Sequence, residues 1–189
     1  IIDDLALLGL LDGKIVVAST NRGGLRGARF EMDDRVTGYD IDSIVRDRLD
    51  FAKTLLRINF DDAGTTETLL ENARLVNEAA EARIPIMLEP FISRWVDGAI
   101  RNDLSPDAVI QSIGIAAGLG NSSAYTWLKL PVVDEMERVM RATTLPTLLL
   151  GGDPAGDPSA TYGRWRDALA LPGVHGLVVG RTLLYPDND

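Results

Sequence analysis

An α/β fold, read as a partial (β/α)8 barrel, is what this sequence predicts, and three observations carry the prediction. Short apolar runs alternate with amphipathic stretches along the chain. The runs recur at a nearly constant interval. Several of them have one apolar face and one face that carries Lys, Arg, Glu or Asn. Strand–helix alternation implies parallel strands joined by right-handed crossovers.

The strand candidates are residues 15–19, 53–60, 85–89, 125–130, 147–150 and 176–179. Each is short, bounded by Gly or Pro, and rich in Val, Ile, Leu or aromatic residues. Helix candidates lie between them. Residues 65–82 carry Leu69, Leu70, Ala73, Val76 and Ala80 at helical spacing. Ser105 is a candidate N-cap with Pro106 at the first helical position, and Gly120 lies just past that helix. Residues 132–141 and 158–169 are two more. No linker, low-complexity tract or charge block divides the chain, so residues 1–189 are read as one domain.

Five intervals from about residue 15 to about residue 177 give roughly 32 residues per unit, and eight such units need about 259, close to the roughly 250 of a complete (β/α)8 barrel. The 189 residues hold six units. The spacing therefore predicts strands three to eight of a TIM barrel, without its first two βα units and its last helix. The alternative is a complete six-stranded, doubly wound open sheet. A partial barrel also exposes unpaired edges at 15–19 and 176–179, which predicts pairing with another chain, such as a second copy.

Composition excludes several classes. With 46% hydrophobic and 25% charged residues the chain is an ordinary globular one. No apolar run reaches the roughly 18–20 residues of a membrane span, which predicts no membrane partner. A net charge of −9 repels a phosphate backbone, which argues against nucleic acid. The chain has no cysteine and one histidine, so thiolate and multi-histidine metal sites are out and no metal or organic cofactor is expected. His175 precedes the last strand candidate, on its N-terminal side, and is read as structural. The start, Ile-Ile-Asp-Asp, lacks the basic region of a signal peptide. It reads as an internal start in a cytoplasmic protein.

Only three of the 19 basic residues are lysines: Lys14, Lys53 and Lys129. Two of them fall inside strand runs. Lys53, Leu55, Arg57 and Asn59 share one face, and Thr54, Leu56, Ile58 and Phe60 the other. The outer face of a barrel strand meets helices and is apolar, so the polar face points inward, where only a site tolerates such residues. Met87 shares a face with Glu89, and Tyr125 and Trp127 with Lys129. Glu89 and Lys129 both end their strands, where barrel active sites sit. A lysine in a dry, aromatic-lined mouth is disfavoured as ammonium, and a second cation such as Lys53 or Arg57 adds to this. The free amine can attack a carbonyl and form a Schiff base, with a carboxylate such as Glu89 moving the protons. The plainer reading of Lys129 is a lysine snorkelling at a strand end.

The last two strands supply a second constellation. One runs into Gly151-Gly152-Asp153-Pro154, the other into Gly180-Arg181-Thr182. Glycines let backbone N–H groups approach an anion, and Arg181 can bind it bidentately. Barrels commonly bind phosphate in the loops after strands seven and eight. The alternative is two ordinary strand-ending turns.

Five segments carry a family resemblance: Ala52-Lys53-Thr54-Leu55-Leu56-Arg57, Met87-Leu88-Glu89-Pro90, Trp127-Leu128-Lys129-Leu130-Pro131, Leu150-Gly151-Gly152 and Val179-Gly180-Arg181. From about residue 14 to 185 the chain resembles the class I, Schiff-base aldolases of the DeoC/LacD group. It is most similar to an actinobacterial-type branch found near inositol-catabolism genes. The resemblance implies that Lys129, ending the sixth barrel strand, is the Schiff-base lysine. It matches Glu89 to a glutamate ending the fifth strand and Lys53 to a lysine in the fourth. It implies that Gly151, Gly152, Gly180 and Arg181 form a phosphate cradle, with Arg57 beside the substrate. Deoxyribose-phosphate aldolases carry a further lysine on strand seven, and residues 147–150 have none, which argues against that activity. The implied substrate is a phosphorylated sugar or keto compound. The alternatives are a barrel-derived protein that binds a phosphorylated ligand without catalysis, or a truncated chain without activity.

The loop at 19–38 holds Arg22, Arg26, Arg29 and Arg35 among Gly23, Gly24 and Gly27. A glycine-hinged, arginine-rich loop at a barrel mouth can close over a phosphorylated substrate. The alternative is a solvated loop whose arginines pair with Glu31, Asp33 and Asp34. Replacing Arg22 and Arg26 with Ala is expected to raise KM for phosphorylated substrates much more than for free sugars. Steady-state kinetics on a sugar and its phosphate test this, and an unchanged ratio sinks the lid.

Overall fold

The computed structural model describes residues 2–21, 25, 27–152 and 158–180. Among these residues there are seven strands: β1 (Val17–Ser19), β2 (Phe51–Ile58), β3 (Ile86–Val96), β4 (Ala99–Asn102), β5 (Thr126–Pro131), β6 (Thr147–Leu150) and β7 (Val174–Val178). The helices are α1 (Ile2–Leu7), α2 (Ile41–Arg46), α3 (Gly64–Ala82), α4 (Pro106–Ala117), α5 (Met136–Met140) and α6 (Pro158–Leu169).

All strands but β4 run parallel, in the order β1-β2-β3-β5-β6-β7. This order decides between the two architectures. A doubly wound sheet reverses its strand order at a switch point, whereas a barrel adds each strand beside the last. Here each parallel strand lies beside its predecessor, and the sheet curls into a partial barrel. Among the described residues, β1 and β7 are each paired on one side only.

Alternation along the strands sets the two faces. In β2, Ala52, Thr54, Leu56 and Ile58 are buried and the residues between them are half-buried. β5 and β6 follow the same rule at Thr126, Leu128 and Leu130 and at Thr147 and Leu149. The buried set packs under the helices. Ala52, Leu56, Ile86, Leu88, Leu128 and Leu149 form one cluster with Leu75, Val76 and Ala79 of α3, Val109 and Ile113 of α4, and Val139 of α5. Helix α4 starts as the sequence predicts, with Pro106 in the first turn and the Ser105 hydroxyl accepting from the Ala108 N–H. It is capped at Gly118, two residues before the expected glycine.

Several boundaries differ from expectation. β2 starts at Phe51, not Lys53, and β7 starts at Val174, so His175 lies inside the strand. α5 is five residues long because Glu135 adopts a left-handed conformation (φ 53°) that stops the helix from starting earlier. The largest difference is at β3. It continues past Glu89 to Val96, turns at Asp97 and Gly98, and returns as β4, a hairpin standing beyond the parallel sheet. The short helices α1 and α2 were not anticipated either. No helix among the described residues is long and apolar enough to cross a membrane.

A buried polar ladder ties the loop after β1 to the sheet. The Asn21 amide donates to the carbonyls of Asp34 (2.8 Å) and Leu55 (2.7 Å) and to the Thr54 hydroxyl (3.0 Å), and its oxygen accepts from the Leu55 N–H (2.9 Å). Thr54 in turn donates to Asn72 of α3 (2.8 Å). The loop re-enters at Gly38, where a Cβ would lie 2.5 Å from the Ser19 carbonyl, so only glycine fits. Asn21→Ala strands buried backbone partners on both the loop and β2, and it is expected to destabilise the fold by about 3 kcal/mol. Denaturant unfolding measures this. A loss below about 0.5 kcal/mol, the size of an ordinary surface change, overturns the ladder's role.

Candidate active site on the concave face

Parallel register builds the site. Lys53 of β2 lies opposite Met87 of β3, and Leu55 lies opposite Glu89. Lys53 is thus one inward-facing position below the carboxylate, and its four-carbon stem spans the step. On the other side of β3, Leu88 pairs with Leu128, the residue before Lys129. Three ionisable side chains from three adjacent strands therefore converge. Lys129 Nζ lies 2.9 Å from Glu89 Oε1, and Lys53 Nζ lies 2.5 Å from Glu89 Oε2. Each carboxylate oxygen takes one ammonium. The three side chains keep only 16%, 11% and 19% of their surface for Lys129, Glu89 and Lys53. That is open enough for a ligand and closed enough to weaken competition from water.

The sequence placed the aromatics at the mouth. The structure places them lower. Trp127, one inward position below Lys129, meets Phe51 edge to face at 5.5 Å and His175 at 5.4 Å. The rings form a floor under the two lysines, and His175 is part of that floor rather than lying outside the strand.

Arg57 shares the face of Lys53 but is held by the loop. Its Nη2 lies 2.7 Å from Asp34 Oδ1, its Nε 3.0 Å from Asp34 Oδ2, and its backbone N–H donates to Oδ2 at 2.9 Å. Nη2 also donates to the Glu31 carbonyl, and the Glu31 carboxylate is 3.7 Å from Nη1. Asp34 is fully buried, and the loss of water pushes its carboxyl above the usual range, against the pull of Arg57. The loop acids were expected to pair with loop arginines. Asp33 does pair with Arg35, but Asp34 and Glu31 go to Arg57 on the strand, which meets Asp34 with both its guanidinium and its backbone N–H. Arg22, Arg26, Gly23 and Gly24 lie outside the described residues.

A cavity of about 730 Å³ opens beside Glu89, and neither Lys53 nor Lys129 lines it. Glu89, Arg57 and Glu31 line it from below, the turn Gly151-Gly152 from β6, Ile100, Arg101 and Asn102 from the hairpin, and Thr161, Arg164 and Trp165 from α6. Gly151 donates its N–H to Val178 within the sheet at 3.0 Å, so this amide is already used. Gly152 has φ +73° and open space where a Cβ would stand. Gly180 is equally open. Of the two turns, Gly151 and Gly152 line the cavity. Arg181 lies outside the described residues. Among the described residues, no group of three or more His, Asp or Glu is arranged to hold a metal. The sequence missed Ile100, Arg101 and Asn102 because it ended the third strand candidate at Glu89. The apolar run through Phe91 and Ile92, followed by Asp97-Gly98, was the available signal.

The geometry can be set beside known proteins. The profile of the Cgl0159-like family matches residues 1–189. The crystal structure of Cgl0159 from Corynebacterium glutamicum is 70% identical and superposes with a TM-score of 0.94 over 98% of this chain and 62% of its own. This chain thus spans about three-fifths of the length of that relative. A Schiff-base-forming fructose-1,6-bisphosphate aldolase shares the fold at 17% identity and a TM-score of 0.66, over 90% of this chain and 65% of its own. A fructose-bisphosphate aldolase from Slackia heliotrinireducens does so at 15% identity and 0.69, over 95% and 57%. No curated protein matches the chain in sequence. With its whole length matched and a solved relative at 70% identity, this chain belongs to the Cgl0159-like family.

Proposed function

We propose that the protein is a class I aldolase of the DeoC/LacD type, which forms a lysine Schiff base with a phosphorylated sugar or keto compound and breaks or makes a C–C bond. The observation that supports this most is the Lys53–Glu89–Lys129 bridge on the concave face of the sheet. The same fold in a Schiff-base-forming aldolase agrees with it.

In this reading Glu89 Oε1, 2.9 Å away, takes a proton from Lys129. The free amine attacks the substrate carbonyl, and the carbinolamine takes the proton back from Glu89 and loses water to give a protonated imine. The hydroxyl on the far carbon of the bond to be broken gives its proton to Glu89. The C–C bonding electrons flow into the iminium, an aldehyde leaves, and an enamine remains. Protonation of the enamine carbon and hydrolysis of the imine release the second product and restore Lys129. Lys53 holds the other carboxylate oxygen and keeps Glu89 in place through these exchanges. Gly152 and Gly180, with Arg181, take the phosphate. Arg57 borders the substrate and ties down the loop that carries Glu31 and Asp34. The chemistry is placed in the cytoplasm, with phosphorylated metabolites, and draws on no metal or organic cofactor. A second copy of the chain is a candidate partner for the exposed strand edges.

Incubation with dihydroxyacetone phosphate followed by borohydride reduction is expected to yield a stable adduct on Lys129, located by peptide mass spectrometry. No adduct, or one on another residue, overturns the mechanism. Glu89→Gln keeps the shape but cannot accept a proton, and it is expected to slow exchange of the carbon-bound hydrogens of dihydroxyacetone phosphate with D2O by about a hundredfold. Exchange at the wild-type rate, followed by NMR, removes Glu89 from the proton path.

A further inference from the structure

The cavity beside Glu89 holds a second carboxylate, which the reaction above does not use. Glu31 lines it too, although it sits on the loop before α2, where an acid ordinarily points to water. Its side chain keeps 13% of its surface, half of the 26% left to Asp33. Two contacts aim it. The Gly27 N–H donates to Oε2 at 2.7 Å, and Arg57 Nη1 stands 3.7 Å from Oε1. The rest of that guanidinium is spent elsewhere: Nε and Nη2 go to Asp34, and Nη2 also to the Glu31 carbonyl. Arg57 thus offsets the charge of Glu31 without occupying Oε1 with a hydrogen bond.

The other side-chain acceptors of the wall are used. Each oxygen of Glu89 takes a lysine, and the Asn102 oxygen accepts from the Ser93 hydroxyl at 2.8 Å. Among the described residues that line the cavity, Glu31 Oε1 is the carboxylate oxygen left without a hydrogen bond. A carboxylate only accepts, so its complement is a donor such as a hydroxyl. Register says which part of a ligand would meet it. Glu89 and Lys129 are level, since Leu88 pairs with Leu128, and Leu55 lies opposite Glu89. Arg57 stands one inward step further along β2, about 7 Å up the sheet. The Gly151-Gly152 turn also lies beyond the level of Lys129, because it follows β6, whose Leu148 is opposite Lys129. In the strand order, Arg57 with Glu31 is on the β2 side of Glu89 and Lys129, and the turn is on the β6 side. A ligand held by its phosphate at the turn and by its carbonyl at Lys129 therefore turns its far end toward Glu31.

We propose that Glu31 is a specificity-determining residue, whose Oε1 accepts a hydroxyl from the half of the substrate beyond the bond to be broken, so that the preferred aldehyde is a hydroxylated one. Asp34 and Arg57 are positioning residues that hold Glu31 at the cavity. The assignment rests on the reading of Lys129 as the Schiff-base lysine and of the glycine turn as the phosphate position.

Calorimetric titration tests this with two ligands that lack a carbonyl and so form no imine: mannitol 1-phosphate and 5,6-dideoxymannitol 1-phosphate. They differ only in the two hydroxyls at the far end. The first is expected to bind about thirtyfold more tightly, the size of one hydrogen bond to a charged group. Glu31→Ala is expected to erase most of that ratio by weakening mannitol 1-phosphate, while the dideoxy ligand binds as before. Glu31→Gln keeps the shape and an acceptor oxygen but not the charge, and it is expected to retain part of the ratio. Unchanged melting temperatures verify that the variants fold. A wild-type protein that binds both ligands equally, or neither, overturns the proposal. So do variants that weaken both ligands equally, as loss of a mere strut in the loop would, or that weaken neither. Borohydride trapping is scored apart. A Glu31-dependent preference without an adduct on Lys129 upholds hydroxyl recognition and overturns the aldolase reading. An adduct on Lys129 without that preference does the reverse.

Discussion

A β-strand has two faces and no choice about which residues share them. In β2 this places Lys53, Leu55 and Arg57 on the concave side and Ala52, Thr54, Leu56 and Ile58 under the helices. Curvature makes the constraint useful, because neighbouring strands aim their inward residues toward a common axis. Glu89 and the two ammonium groups meet without any loop having to carry them. The site therefore inherits the rigidity of the sheet core, where Leu56, Leu88 and Leu128 are completely buried.

The loop between β1 and α2 shows the opposite strategy. It is fastened by a few strong polar contacts, beside the packing of Val36 and Tyr39 on the core. Asn21 knits its start to β2, and Asp34 clamps Arg57 with both oxygens. A buried carboxylate without its guanidinium would cost several kcal/mol, so the pair fixes the path of the chain while adding little net stability. The loop end that carries Glu31 is thereby held against the rim of the cavity.

Much of this was legible in the sequence. Residues 147–150 and 158–169 form β6 and α6 with the expected bounds, because Pro or Gly flanks them and their periodicity is clear. Lys129 and Glu89 stood out because charged residues inside apolar runs need a reason. What stayed hidden depended on partners far away in the chain. Nothing local to Asp34 says that Arg57, 23 residues on, will take it. Aromatic rings at 51, 127 and 175 meet only once three strands are in register. The hairpin was overlooked because a rule that stops strands at the first proline, Pro90, cuts β3 short. In this strand the proline is buried in the sheet, and β3 carries on for six more residues.

That long strand divides into two parts with different obligations. Residues 86–92 are locked by pairing with β2, and the first three of them with β5 as well. Residues 93–96 pair only with β4, their own return strand. A change in the length or the tip of the hairpin would leave the register around Glu89 untouched. The carboxylate that bridges the two lysines and part of the cavity wall are thus carried by consecutive stretches of one strand that can be altered separately. This arrangement lets the cavity wall change by editing an appendage, while the bridge at Glu89 stays as it is.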